Sequence, residues 1–212
     1  MAPRRTAPLM TSRQPGRRRT AETTGAARLL ILDAAERLFA AQGFDATSTA
    51  AIAAAAGVPK GLIFYYFPTK EAILSTLISE RVPERPVVDI TPLVAPGDPA
   101  TSLLNLDTAL NRDRHGPVLR TIMWREARTH PEIGRRLRGV RDQLLDLTVR
   151  VLQASVPTPL RPGTLRAGAA AWVSAMFGLV DWPATPDGRT PANGPEPRRV
   201  AQVIAAGMAQ LG

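Results

Sequence analysis

Cysteine is missing from all 212 residues, which excludes disulfides, thiolate metal sites and cysteine nucleophiles, and permits a reducing compartment. Histidine is scarce: His115 and His130 lie in different segments, which is not the pattern of a metal site. No nucleophile elbow, phosphate-cradling glycine loop or paired-carboxylate motif occurs. The chain is therefore not expected to be an enzyme, and no cofactor is expected. No stretch of about 18 apolar residues exists, so a membrane-spanning helix is excluded. The N-terminal segment also lacks the apolar core of a secretory signal. Together these absences lead to the expectation of a cytoplasmic protein with no membrane partner.

What is abundant is positive charge. Twenty-seven basic residues against 18 acidic ones give +9 and a pI of about 11.3, a balance that favours an anionic partner such as nucleic acid. Residues 1–24 hold Arg4, Arg5, Arg13, Arg17, Arg18 and Arg19 against Glu22 alone, and so supply +5 of that charge. Rich in Pro, Thr and Gly, residues 1–25 are expected to be a disordered basic arm, solvated or lying along phosphates.

The rest of the chain carries helical periods and no long alternating pattern, so the expected class is all-α. From Arg28, apolar residues recur through Ile31, Ala34 and Leu38, and Gly43 closes the helix after Gln42. Thr47, Ser48 and Thr49 offer capping hydroxyls to a short alanine-rich helix ending at Ala56–Gly57. A third helix starts at Pro59 and ends near Tyr66, and Pro68 and Thr69 open a fourth that carries Ile73, Leu74, Leu77 and Ile78. These elements form an expected domain over 26–81. A proline-rich connector follows at 82–99. Helices near 100–111, 117–129, 132–154, 163–182 and 197–211 then make up a domain over 100–212.

The spacing from Thr49 to Tyr66 is that of a helix-turn-helix. Ala53 is small enough for a steep crossing, Gly57 supplies a left-handed turn, and Ile52, Ala56, Val58, Ile63 and Tyr66 anchor the pair. The outer face of the second helix is then free to enter a major groove about 12 Å wide. Lys60 and Lys70 are the only lysines in the chain. Both fall in the first turn of a helix, where the macrodipole disfavours a cation. A phosphate would reverse that penalty; otherwise both are ordinary solvated lysines.

The run Gly43-Phe44-Asp45-Ala46-Thr47-Ser48-Thr49, then Ile52-Ala53, Ala56-Gly57-Val58-Pro59-Lys60-Gly61, Tyr65-Tyr66-Phe67 and Lys70-Glu71 resembles the N-terminal DNA-binding domain of the tetracycline-repressor (TetR) family, over about residues 26–78. The resemblance implies a homodimeric transcriptional regulator, usually a repressor. It would bind a near-palindromic operator on double-stranded DNA and be released by a small-molecule inducer held in the C-terminal helices. It suggests phosphate contacts from Thr47, Ser48 and Thr49, which are equally readable as caps. It also suggests close approach to the bases at Gly61, a thymine-methyl contact at Leu62, and a phosphate contact from the outward member of Tyr65 and Tyr66, expected to be Tyr65. Phe67 reads as core. Phe64 stands where many relatives have tyrosine, and Ala50 and Ala51 replace residues that are often polar.

In the C-terminal half, residues 163–182 carry two apolar rows, Leu165-Ala169-Trp172-Met176-Leu179 and Val173-Phe177-Val180. One is expected to face the chain's own core and the other a partner copy, with 197–211 (Val200, Ile204, Met208) as the second dimerisation helix; the alternative is a single-chain bundle. Arg120, Met123, Trp124, Trp172, Met176 and Phe177 are candidate pocket residues, with Arg120 or Asp181 as the polar group, or else plain core. The competing functional reading is a small-molecule-binding or enzymatic helical protein with a vestigial DNA-binding domain.

Overall fold

The computed structural model describes residues 16–82, 89–112, 115–178 and 196–211. Its elements are α1 (Gly16–Gln42), α2 (Thr49–Ala56), α3 (Lys60–Tyr66), α4 (Lys70–Arg81), a 3-10 turn at Thr91–Leu93, α5 (Pro99–Asn111), α6 (His115–Glu126), α7 (Pro131–Ser155), α8 (Pro162–Gly178) and α9 (Pro197–Leu211). Among the described residues there is no strand, as an all-α reading requires.

Local chemistry places most helix ends. Gly43 adopts φ 84° and its amide bonds back to the Phe39 carbonyl at 3.0 Å. Gly57 adopts φ 67°, and with Val58 it returns amides to the carbonyls of Ala54 and Ala53, the left-handed helix stop that only glycine makes without strain. The Ser48 hydroxyl accepts from the Ala51 amide at 3.0 Å, and the Thr69 hydroxyl accepts from Ala72 at 3.1 Å. Asp98 performs the same office for α5, accepting from Thr101.

One boundary differs from expectation. Helix α1 starts at Gly16, so residues 16–25 of the arm expected to be disordered are helical. Three arginines favour helix there while Thr20, Thr23, Thr24 and the terminal glycines do not, and the extension follows from propagation: once 26–42 is packed each added residue contributes a backbone hydrogen bond at little nucleation cost. Residues 1–15 lie outside the described residues.

The packing also divides differently from the sequence. One core gathers Ile31, Phe39, Ile52, Ile63, Phe67, Ile73 and Leu77 from α1–α4. It continues without a break into Leu119, Ile122 and Met123 of α6, Ile133 and Leu137 of α7, and Phe177 of α8. A second core joins Leu93, Leu103, Leu106, Val151, Leu152, Trp172, Met176 and Met208. Helix α6 thus belongs as much to the N-terminal unit as to the bundle. Polar links follow the same seam. Arg81 of α4 pairs with Asp33 and Glu36 of α1, and His115 of α6 places Nδ1 2.7 Å from a Glu36 oxygen. Arg125 donates to the Phe39 and Ala40 carbonyls at the end of α1, and the Phe44 amide donates to Glu126 at 3.1 Å.

Candidate nucleic-acid interface

Helix α3 is short, and its two faces have opposite surroundings. Ile63 is fully buried and Tyr66 half-buried against the first core, while Lys60, Gly61, Phe64 and Tyr65 form the opposite face and are exposed. Tyr65 is the outward tyrosine, 73% exposed, and its ring meets Tyr66 edge-on at 5.0 Å. Leu62 is half-buried at the rim. Helix α2 lies beneath, burying Ile52, Ala53 and Ala56, so the small residue expected at the crossing is in place.

Gly61 has no packing reason to be glycine. It sits in ordinary helical backbone, and a Cβ built there would meet nothing within 4 Å. A helical glycine costs roughly 0.5–1 kcal/mol against alanine. No contact among the described residues requires glycine there. Lys60 stands beside it, exposed, with no hydrogen bond or ion pair among the described residues.

Two expected contacts are placed elsewhere. Thr47 is buried, its hydroxyl donating to the Gly43 carbonyl at 2.7 Å and accepting from Gln42 Nε2 at 3.1 Å. That hydroxyl is spent inside the turn, and of the three candidates it is the exposed Ser48 and half-buried Thr49 that border the surface. Lys70 is likewise committed. Its Nζ donates to the carbonyls of Phe44 at 2.7 Å, Thr47 at 2.9 Å and Asp45 at 3.4 Å, and lies 4.2 Å from the centre of the Phe44 ring. These carbonyl dipoles and the ring face offset the penalty of a cation in the first turn of α4, the service expected of a phosphate. Phe64, which the sequence reading noted only as a replacement for tyrosine and gave no contact, is 48% exposed. It lies one turn from Lys60 on Tyr65's side, a position helical spacing could have flagged.

The candidate pocket residues divide between the two cores. Met123 and Phe177 belong to the first core, Trp172 and Met176 to the second, and Trp124 lies at the surface, where the Arg141 guanidinium stacks over it and over Phe177. Arg120 donates to Asn111, and burial depresses its pKa while raising that of Asp107 opposite. Its Nε and the Trp172 Nε1 are buried donors with no partner among the described residues. A separate cavity of about 320 Å³ is lined by Gln153, Val156, Pro157, Pro159, Leu160 and Leu165.

Both apolar rows of α8 are buried within the chain as far as they are described, Leu165, Ala169, Trp172 and Met176 in the second core and Val173 and Phe177 in the first. Neither is left over for a partner. The outward face is instead Ala167, Ala170, Ala171 and Ser174, next to α9 with its exposed Val203 and Leu211. Leu179, Val180 and Asp181 lie outside the described residues.

Residues 31–77 match the family model described as bacterial regulatory proteins, tetR family. Over 50 residues, 24% of this chain and 17% of the relative, the chain is 40% identical to the uncharacterized HTH-type transcriptional regulator YuxN of Bacillus subtilis (strain 168). Over 150 residues, 69% of this chain and 70% of the relative, it is 29% identical to an uncharacterized HTH-type transcriptional regulator of Mycobacterium tuberculosis H37Rv. The chain thus spans under a fifth of the first relative's length and about two thirds of the second's. Among solved structures it resembles NalD, the secondary repressor of the MexAB-OprM multidrug efflux pump in Pseudomonas aeruginosa. The TM-score is 0.54 at 23% identity, over 89% of this chain and 96% of that one, a likeness of fold.

Proposed function

We infer that the chain, which matches the family model of bacterial regulatory proteins, tetR family, over residues 31–77, is a DNA-binding transcriptional regulator that acts as a homodimeric repressor which a small molecule releases from a near-palindromic operator. The observation that carries the DNA-contacting role is the outer face of α3, where Lys60 is unpaired among the described residues and Gly61 keeps open a space that the free protein does not use. Lys60 supplies a phosphate contact, Gly61 lets the backbone come close to the bases, and Leu62 and Phe64 offer apolar surface to thymine methyls. Ser48, Thr49 and Tyr65 border the groove with hydroxyls, and Tyr66 backs Tyr65. Lys70 acts at one remove by holding the turn ahead of α2.

Dimerisation through α8 and α9 is supported by their outward face of alanines and serine beside Val203, whose small side chains allow two helices to approach closely. In such a dimer the two copies of α3 would have to stand about 34–36 Å apart to enter successive major grooves. The repressor reading takes support from the likeness to NalD. Support for an inducer site is taken from Arg120 Nε and Trp172 Nε1, buried donors with no partner among the described residues, since buried polar atoms are ordinarily paired. No described helix is long and apolar enough to cross a membrane, and we assign the chain to the cytoplasm and to no catalytic role.

A footprint on the DNA upstream of its own reading frame tests this. A protected near-palindrome is expected. Lys60→Ala should weaken binding to every duplex and lower the slope of log K against log salt by about 0.9 per protomer. If no duplex binds above the nonspecific level, the proposal is wrong.

A further inference from the structure

The helical bundle holds a largely buried cation whose counter-charge is at one remove. Arg120 on α6 donates through Nη2 to the side-chain oxygen of Asn111 on α5, and Asn111 in turn donates from Nδ2 to Asp107 Oδ1 at 2.9 Å. The amide thus stands between guanidinium and carboxylate. Burial outweighs the attraction between the two charges at both ends. It depresses the Arg120 pKa although Asp107 acts to raise it, and it raises the Asp107 pKa although Arg120 and Asn111 act to lower it. A charge taken out of water is costly unless an opposite charge and hydrogen bonds replace its hydration. Arg120 Nε is also a buried donor with no partner among the described residues.

The backbone is shaped to put the guanidinium there. Gly116 stands one turn ahead of Arg120, and a Cβ on it would come within 2.8 Å of the Leu110 carbonyl and 3.7 Å of Arg120 Nη1. Glycine lets the start of α6 sit this close to the end of α5, and that approach brings Arg120 to Asn111. Apolar surface adjoins the polar chain: Leu106, next to Asp107, lies in the second core, and Leu110, next to Asn111, packs against both cores. Arg120, Asn111 and Asp107 are each half-buried, so a solute can reach them. The second core holds a further buried donor in the same condition, Trp172 Nε1, on a side chain only 1% exposed.

Both open groups are donors, so a fitting ligand brings acceptors. An ammonium would place a second cation beside Arg120 and satisfy neither group. A neutral carbonyl would fill Nε and leave the charge unmet. A phosphate monoester carries close to two negative charges, more than one guanidinium neutralises beside Asp107. A carboxylate matches both the charge and the donor geometry of arginine.

We propose that Arg120 anchors an organic carboxylate with an apolar body, and that this is the chemical class of the small molecule that releases the protein from DNA. This rests on the inducer reading given above. The carboxylate accepts from Nε, and the apolar body lies against Leu110 where the two cores meet.

The test titrates the full chain by calorimetry with benzoate, cyclohexanecarboxylate and octanoate, each beside the amine of the same body: benzylamine, cyclohexylmethylamine and octylamine. At least one acid should bind ten-fold or more tightly than its amine. Arg120→Gln, which retains a donor for Asn111, should lose about 10- to 100-fold in affinity for that acid, the range of one charge-assisted hydrogen bond. Arg120→Lys, which keeps the charge without Nε, should bind it at an intermediate level, and it carries the comparison if circular dichroism shows Arg120→Gln unfolded. Amines that bind as tightly as the acids, acid binding unchanged in the variants, or no binding of any acid at about 10 mM each overturn the proposal. Anisotropy on a labelled duplex from upstream of its own reading frame separates this from the reading beneath it. An amine that binds and releases the duplex while no acid does so ends the proposal and keeps the inducer reading. An acid held through Arg120 that leaves the duplex bound removes the inducer reading, and the assignment of class falls with it.

Discussion

Replacing Lys70 with methionine removes an ammonium while keeping most of the side chain's length, and so separates a clasp from a phosphate contact. Two of the three hydrogen bonds from Nζ have ordinary lengths, 2.7 Å to Phe44 and 2.9 Å to Thr47, and the third, at 3.4 Å to Asp45, is weak. A hydrogen bond from a charged donor contributes about 1.5–3 kcal/mol, or about 3–6 kcal/mol for the good pair at face value. Three effects reduce this. Lys70 is only half-buried, so water reaches the released carbonyls. The freed side chain recovers up to about 1.5–2 kcal/mol of rotamer entropy. A cation is also relieved from the first turn of α4, a gain of at most about 1 kcal/mol. Losing the cation at 4.2 Å over the Phe44 ring restores about 0.5–1 kcal/mol of cost. The net is about 2 kcal/mol. For a chain of this size that lowers Tm by about 4–8 °C, measured by circular dichroism at fixed protein concentration because a dimer's Tm depends on it. A Tm within about 1 °C of the parent, together with a salt slope lowered by about 0.9 on duplex DNA, would refute the clasp and return Lys70 to the phosphates.

Three further outcomes follow from the same geometry. Glu126→Ala leaves the buried Phe44 amide without its acceptor and should cost about 1–3 kcal/mol in urea unfolding, whereas Glu126→Gln keeps an acceptor oxygen and should cost less than half as much; equal losses would mean that the carboxylate acts by its charge. The glycines of the helix-turn-helix should respond with opposite sign. Gly57→Ala forces a side chain into φ 67° and should destabilise by about 1–2 kcal/mol. Gly61→Ala should stabilise the free protein by about 0.5–1 kcal/mol while weakening DNA binding, and an unchanged affinity would remove close approach at that residue. Acid should weaken the tie between α1 and α4: the Arg28 guanidinium holds the Glu80 carboxyl below its usual pKa. Its contribution is therefore complete above the ordinary glutamate pKa of about 4.3 and is lost as pH falls through the depressed value. Glu80→Gln should be less stable than the parent at pH 7 by no more than about 1 kcal/mol, since both partners are substantially exposed, and the gap should close below about pH 4.

Much of the fold was legible because it is decided locally. A glycine at a left-handed stop, a hydroxyl at an N-cap and a proline in a first turn each act within four residues. Gly43, Gly57, Ser48 and Thr69 therefore end or begin helices where the sequence places them. The outward Tyr65 and buried Phe67 follow from helical period in the same way. Period alone does not say what covers a face. Two apolar rows on α8 suggest a core and a partner, but the helix lies between two cores of its own chain, and the described members of both rows are buried there. The outward face of α8 is instead rich in alanine, which carries no apolar signal strong enough to stand out in the sequence.

Lys70 shows where the limit lies for a functional residue. The dipole argument identified a real cost, but the groups that offset it come from residues 23 to 26 positions earlier in the chain, and no spacing rule connects them. The same turn is held from its other side by α6, whose Glu126 takes the Phe44 amide and whose Arg125 takes the last carbonyls of α1. One residue, Phe44, thus has its amide bound by the helix that shares the bundle's core and its carbonyl bound by the helix that follows the recognition element. Three residues beyond it, Thr47 closes the turn and hands on to Ser48, the cap of α2. A shift at the C-terminal end of α6 must therefore break a buried hydrogen bond or carry the cap of α2 with it. Since α2 packs directly beneath α3, this hydrogen bond joins the His115–Glu36 contact and the shared core as a route by which a movement of α6 reaches the helix-turn-helix.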